Sequence, residues 1–182
     1  MSQNISRVIL NPDDISRTLA RMAHEITEKN PDAASLVLIG IITRGAPLAK
    51  RLAEKIKAIN GAEVPVGKLD VTFYRDDLAK KGPNLNASPT EIPADVNGKT
   101  VILVDDVLYT GRSIRAAIDA IMDIGRPGRI QLATLLDRGH RELPIRPDYI
   151  GKNIPTAKHE RVKVKLKETD GEDTVVVVNG ND

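Results

Sequence analysis

The sequence predicts an α/β fold, a central, mainly parallel sheet flanked by helices. Three observations predict it. Apolar runs at 35–42, 101–104 and 130–136 have the unbroken hydrophobicity of strands buried on both faces. The first two lead through a short polar turn into segments whose apolar residues recur at helical spacing. Strand, turn and helix therefore alternate along the chain, which calls for parallel strands joined by right-handed crossovers.

The elements follow in order. Asn11-Pro12-Asp13-Asp14 is a helix start: Asn11 can cap, proline suits the first turn, and two acids face the positive end of the helix dipole. That helix should run to Asn30-Pro31, burying Ile15, Leu19, Met22 and Ile26. After the 35–42 strand and the turn Thr43-Arg44-Gly45, Pro47 opens a helix carrying Leu48, Leu52, Ile56 and Ile59. Leu69, Val71 and Phe73 alternate with Asp70, Thr72 and Tyr74, the pattern of a half-buried strand. The polar stretch 75–93 should be a flexible loop. A strand at 101–104 precedes a helix over 113–124, packed through Ile114, Ala117, Ile118, Ile121 and Met122, and Gly125-Arg126-Pro127-Gly128 breaks the chain before the 130–136 strand. A strand fragment at Tyr149-Ile150, an alternating strand over 161–166 and the apolar run 175–178 complete the pattern. Without repeat, linker or low-complexity segment, residues 1–182 read as a single domain.

Composition narrows the function. Hydrophobic residues at 41% and charged residues at 29% belong to an ordinary folded, soluble chain rather than a disordered one. The absence of cysteine excludes disulfides and thiolate metal sites, and three scattered histidines make no zinc cage, so any metal should be a hard cation held by oxygens. No basic and apolar leader opens the chain, and the longest apolar run, 36–42, is far below the ~20 residues that span a bilayer; the expected location is cytoplasmic. A net charge of +2 requires any nucleic-acid role to rest on a local basic patch.

The chemistry concentrates in 101–113, VILVDDVLYTGRS. In an open α/β sheet, ligands sit at the carboxyl ends of strands, where Asp105 and Asp106 stand. Carboxylates repel phosphate but accept hydrogen bonds well, so the pair suits vicinal ribose hydroxyls, with or without Mg2+. Tyr109, Thr110, Gly111, Arg112 and Ser113 supply hydroxyls, a permissive glycine and helix-start amides, the donors a phosphate needs. Taken singly, Asp-Asp could merely cap a helix and Thr-Gly merely make a turn; together after a buried strand they describe a ribose carrying a terminal phosphate. There is no Walker GxxxxGK[ST] loop, and no GxGxxG follows a strand.

This motif resembles the signature of type I phosphoribosyltransferases, which bind 5-phosphoribosyl-1-diphosphate (PRPP). The resemblance implies that family's fold, with a small hood and a flexible catalytic loop. It implies that Asp105 and Asp106 hold the ribose hydroxyls, that Val107 and Leu108 belong to the substrate loop, and that Thr110, Gly111, Arg112 and Ser113 surround the 5′-phosphate. Thr43, Arg44 and Gly45 match the family's pyrophosphate turn, with Arg44 supplying fixed positive charge. Arg75, Lys80 and Lys81 fall in the loop that would close over pyrophosphate, although solvated lysines are an equal reading of the last two. Mg2+ would arrive with PRPP, near Asp105 and Asp106.

ITRG, DVTFYRDDL, the motif and DRGHRELPIRPDYIGKNIPT together resemble, over nearly the whole chain, the bacterial pyrimidine operon regulatory family, which also acts as uracil phosphoribosyltransferases. Ile42 departs from the basic residue expected before TRG. The resemblance implies the conversion of PRPP and uracil to UMP and pyrophosphate, with Arg44, Arg75, Asp105 and Asp106 as catalytic residues. The base would lie under a hood at 137–156, read by Arg138 and by backbone groups near Ile150, unless Asp137 and Arg138 are instead a structural ion pair. No residue is an obvious proton acceptor for uracil. The resemblance also implies UMP-dependent binding of pyrimidine operon leader RNA, causing transcriptional attenuation, and a homo-oligomer built from dimers. Arg17, Arg21 and His24 form a polar stripe on the first helix, and Arg141, Arg146 and Lys152 lie in the hood segment; these are the RNA candidates. Arg161, Lys163, Lys165 and Lys167 share a strand face that serves RNA or edge protection equally well. One Phe, three Tyr and no Trp limit base stacking. The competing reading is a purine phosphoribosyltransferase without RNA regulation.

Overall fold

A computed structural model describes residues 6–76 and 89–180. A short strand β1 (Ser6–Leu10) leads into helix α1 (Pro12–Lys29), whose start is a complete capping box. Asn11 Oδ1 accepts the Asp14 N–H at 2.8 Å and Asp14 Oδ2 accepts the Asn11 N–H at 3.1 Å. The chain continues through β2 (Leu36–Ile41), α2 (Gly45–Asn60), β3 (Val66–Leu69), β4 (Thr100–Leu108), α3 (Arg112–Ile124), β5 (Arg129–Asp137) and β6 (Tyr149–Asn153). It ends with β7 (Glu160–Lys165), a single helical turn α4 (Lys167–Asp170) and β8 (Thr174–Asn179).

Strands β3-β2-β4-β5-β6 form a parallel five-stranded sheet; β1-β8-β7 form a separate antiparallel one. The alternation of strand side chains sorts the core. Leu36, Leu38, Ile102 and Val104 face α1 and α2, whereas Val37, Ile39, Val101 and Leu103 face α3. The small sheet has no core of its own; Leu10, Val164, Leu166, Val175 and Val177 join the cluster beneath α1 and α2. Each such leucine or valine contributes about 1.5–3 kcal/mol by leaving water.

Several expectations are corrected. The alternation over 69–74 is not a strand. β3 ends at Leu69 because the Asp70 carboxylate accepts the Thr72 N–H at 2.8 Å, folding the chain into a 3-10 turn at Thr72–Tyr74 that leaves Phe73 66% exposed. β4 continues beyond Val104 to Leu108, since pairing with β5 persists from Asp105↔Thr134 to Leu108↔Asp137; the acidic pair is thus within the strand rather than after it. α2 begins at Gly45 and α3 at Arg112, both ahead of the expected starts. Met122 is exposed, and Ala116 and Ala120 take its expected place in the core. β1 was not foreseen: its ladder partner is β8, more than 160 residues away by number. As the edge of the small sheet, β7 exposes Arg161 and Lys163. Among the described residues no helix is long and apolar enough to cross a membrane.

β3 and β4 lie on opposite sides of β2, so a topological switch point falls between the carboxyl ends of β2 and β4. The turn at 42–45 and the end of β4 with the turn that follows it, residues 105–111, meet there.

Candidate phosphoribosyl site

Glycines allow that meeting. A Cβ on Gly45 would stand 2.3 Å from the Val104 carbonyl oxygen, and one on Gly40 would stand 2.3 Å from the Gly45 carbonyl oxygen. No side chain fits either gap, so the turn lies directly against β4, with a cis peptide between Ile42 and Thr43. Arg44 follows. Its Nε and Nη2 donate to the Asp170 carboxylate at 3.2 and 2.8 Å, and these bonds, with the nearby Asp106 charge, hold its guanidinium above the usual range.

Asp105 and Asp106 are half-buried, and each accepts the N–H of the following residue, at 2.9 and 2.8 Å. Burial, then the neighbouring Asp106, pushes the Asp105 carboxyl well above the carboxylate range, with the Arg75 charge opposing. Two acids crowded at a strand end need donors or a cation. Among the described residues no group of three or more histidines, cysteines, aspartates or glutamates could hold a metal ion.

Beyond the acids, Gly111 adopts φ 94°, a left-handed conformation that favours glycine, and turns the chain into α3. The helix start opens on a cavity of about 90 Å³, lined in part by Arg75, Asp105, Thr110, Gly111 and Ser113, with Val107, Leu108 and Tyr109 on its walls. The lining thus brings Asp105 from β4 together with Thr110, Gly111 and Ser113 from the start of α3. The Arg112 guanidinium turns away from this cavity's lining and pairs with Glu142 at 2.9 Å and with Asp76. Lys80 and Lys81 lie outside the described residues.

The hood braces this loop from behind. The Thr110 carbonyl accepts the N–H groups of Glu142 and Leu143 at 2.9 and 3.2 Å. Arg141 donates to the carbonyls of Tyr109 and Ile145 at 3.0 and 2.7 Å and forks onto Asp137. The ion-pair partner of Asp137 is therefore Arg141, not Arg138. Arg138 is 8% exposed, stacks 4.1 Å from the Tyr109 ring centre and donates to the Glu160 carbonyl at 2.9 Å, while its Nε is buried with no partner among the described residues. A cavity of about 390 Å³ lies beside it, formed by residues 137–141 and 153–155. Ile150 is not in this lining; its carbonyl accepts Arg21 at 3.2 Å.

The six RNA candidates fall in three places. Arg17, Arg21, His24 and Lys152 occupy the α1 and β6 side, where the Lys152 charge acts on Asp14. Arg146 lines a groove with Ile118 and Met122. Arg141 is inside the hood. Sequence reasoning missed Asp170, Asp76 and His140. No local pattern marks them: His140 stands at φ 64° with its Nε2 2.6 Å from the Thr156 carbonyl, and Asp170 reaches Arg44 across 126 residues.

The family model for the phosphoribosyl transferase domain matches residues 9–169. The bifunctional protein PyrR of Chloroflexus aurantiacus is 58% identical over 173 residues, covering 95% of each chain. PyrR of Deinococcus radiodurans is 59% identical over 174 residues, covering 96% of this chain and 95% of its own. Among solved structures, hypoxanthine phosphoribosyltransferase of Trypanosoma cruzi superposes with a TM-score of 0.73 at 19% identity, covering 96% of this chain and 97% of that one. At that identity the likeness is one of fold.

Proposed function

The chain belongs to the phosphoribosyl transferase family and, within it, to the bifunctional PyrR proteins, and on that premise we propose how its site works. It transfers the phosphoribosyl group of PRPP to uracil, giving UMP and pyrophosphate. It also binds pyrimidine operon leader RNA more tightly with UMP, so that transcription attenuates when pyrimidines are plentiful.

The observation that carries the transfer reading is the placing of Asp105 and Asp106, at the end of β4, and the cavity at the start of α3 on one continuous segment, near Arg44. In the reaction the bond from ribose C1′ to pyrophosphate oxygen breaks and the bond to uracil N1 forms, the N1 proton leaving to solvent. Positive charge grows on the ribose, beside the acids, and negative charge on pyrophosphate, beside Arg44. Asp105 and Asp106 accept the ribose hydroxyls, and the α3 amides hold the 5′-phosphate. Mg2+ carried by PRPP would neutralise pyrophosphate charge, with Asp105 and Asp106 the residues able to approach it. Arg75 lines the cavity assigned to the phosphate. Uracil fits beneath the hood, beside Tyr109 and Arg138. Both substrates and RNA are cytoplasmic, and the family's assembly from dimers extends to this chain.

Pyrophosphate release with uracil, hypoxanthine, guanine and orotate tests the base, and RNA binding with and without UMP tests the regulator. Uracil should be the preferred base and UMP should tighten RNA binding. Preference for a purine, with RNA binding indifferent to UMP, would establish the purine enzyme instead.

A further inference from the structure

The guanidinium of Arg44 is not free to swing. Asp170 takes two of its donors in a fork, a geometry that fixes both direction and plane. Asp170 is itself held before the arginine arrives. Its Oδ2 accepts the Leu166 N–H at 2.8 Å and the Thr169 hydroxyl at 2.7 Å, and its own N–H donates to the Leu166 carbonyl at 2.6 Å. The Arg44 and Asp170 side chains are 34% and 20% exposed, so the pair sits at the lip of the crevice rather than in the core.

A second arginine isolates the function of the first. Arg51, seven residues on and hence two turns along α2, forks onto both Glu168 and Asp173. The turn between β7 and β8 is thus fastened to α2 twice. Arg51 alone would hold it there, with three of its donors shared between two acids. The Arg44 pair adds something docking does not require: it fixes the direction of an arginine that lies near enough to feel the Asp106 charge, next to the glycine that packs on the Val104 carbonyl. With Nε and Nη2 committed, Nη1 has no partner among the described residues.

We propose that Asp170 is a positioning residue for the pyrophosphate half of the site, setting Arg44 in the orientation in which its remaining donors meet the leaving group. This rests on the reading of Arg44 as the pyrophosphate ligand. The small C-terminal sheet then does more than complete the core: its hairpin turn presets a catalytic charge before PRPP binds, sparing the entropy of ordering a long side chain.

The test compares binding of magnesium pyrophosphate and of UMP, which lacks a diphosphate, in wild type, Asp170→Ala, Asp170→Asn, Arg51→Ala and Arg44→Ala, with the KM for PRPP alongside. Asp170→Ala should weaken pyrophosphate and raise the PRPP KM about tenfold, a change of about 1.4 kcal/mol, and leave UMP affinity unchanged. Asp170→Asn, which keeps the shape and one acceptor, should show a smaller loss in the same ligands. Arg51→Ala should lower stability but spare pyrophosphate. Unchanged or tighter pyrophosphate binding by both Asp170 variants overturns the proposal, as does an equal loss for UMP or an equal loss in Arg51→Ala. If Arg44→Ala itself binds pyrophosphate normally, the assignment of Arg44 fails, and that failure is separate from one confined to Asp170.

Discussion

Arg138 stacks its guanidinium 4.1 Å from the ring centre of Tyr109, joining the hood to the segment between β4 and α3. The same ring meets the edge of His140 at 6.0 Å. One aromatic residue that lines the cavity at the start of α3 therefore packs on two residues that line the hood cavity. Tyr109→Leu keeps the apolar bulk but removes both contacts. It should cost about 1 kcal/mol of stability and raise the KM for uracil several-fold more than that for PRPP. Steady-state rates against each substrate decide the point; equal changes in both would show that the contact serves the loop alone.

Arg141 has the charge of an RNA contact and the bonding of a brace. Burial raises the Asp137 carboxyl, but the Arg141 guanidinium and the Gly139 N–H outweigh it and hold the group below its ordinary 3.8. A depressed folded pKa contributes stability that is present above the unfolded value and lost as pH falls through the folded one. Arg141→Gln should therefore destabilise the protein by about 2 kcal/mol at neutral pH, after allowance for partial exposure, and by progressively less below pH 3.8. Denaturant titration across pH measures this. A variant with wild-type stability would return Arg141 to the exposed surface that RNA meets.

Asp105 has the opposite sign. Its raised pKa means that the native state holds the proton more tightly than the unfolded chain, so stability is lost as pH rises from 3.8 towards the folded value, and the whole cost is present above it. Asp105→Asn should raise the melting temperature of the unliganded protein at neutral pH by several degrees, as about 1 kcal/mol does for a domain of this size. The gain should vanish below pH 3.8. Uracil-dependent pyrophosphate release should fall at least about a hundredfold, since ribose loses a charged acceptor. A destabilised variant would mean that crowding is already relieved within the free protein.

What could be read from the chain was what repeats locally. The α1 stripe of Ile15, Leu19, Met22 and Ile26 is buried as its spacing demands, and Asn11 and Asp14 form the cap their order implies. The 101–113 motif is legible because strand, acids, glycine and helix start are contiguous. Arg112 shows the limit: contiguity places its backbone, whereas Asp76 and Glu142 direct its side chain. Long-range polar contacts left no trace. Tyr149 is buried with its hydroxyl donating to Gln131 at 2.8 Å and accepting from Asn30 at 2.9 Å, three residues whose separate contexts carry no pattern. The alternation over 69–74 misled because Asp70 ends the strand with its own side chain.

The basic face of α1 separates two roles that charge alone conflates. Arg17 is 76% exposed and makes one ion pair, with Asp14, which a phosphate can displace at little cost. Arg21 also pairs with Glu25, but its Nη2 donates to the carbonyls of Ile150 and Gly151 at 3.2 and 2.6 Å, tying α1 to β6. β6 runs on to Asn153 and Ile154 in the wall of the hood cavity, so Arg21 ties α1 to the strand that leads into that cavity wall. Arg17→Gln should weaken leader RNA similarly with and without UMP and reduce the slope of log affinity against log salt by about 1. Arg21→Gln should lower affinity and also shrink the enhancement by UMP, because the strand and the helix are no longer joined at that point. Salt titrations of RNA binding, each at zero and saturating UMP, separate the two. An undiminished UMP enhancement in Arg21→Gln would mean that nucleotide occupancy reaches RNA by a route other than β6.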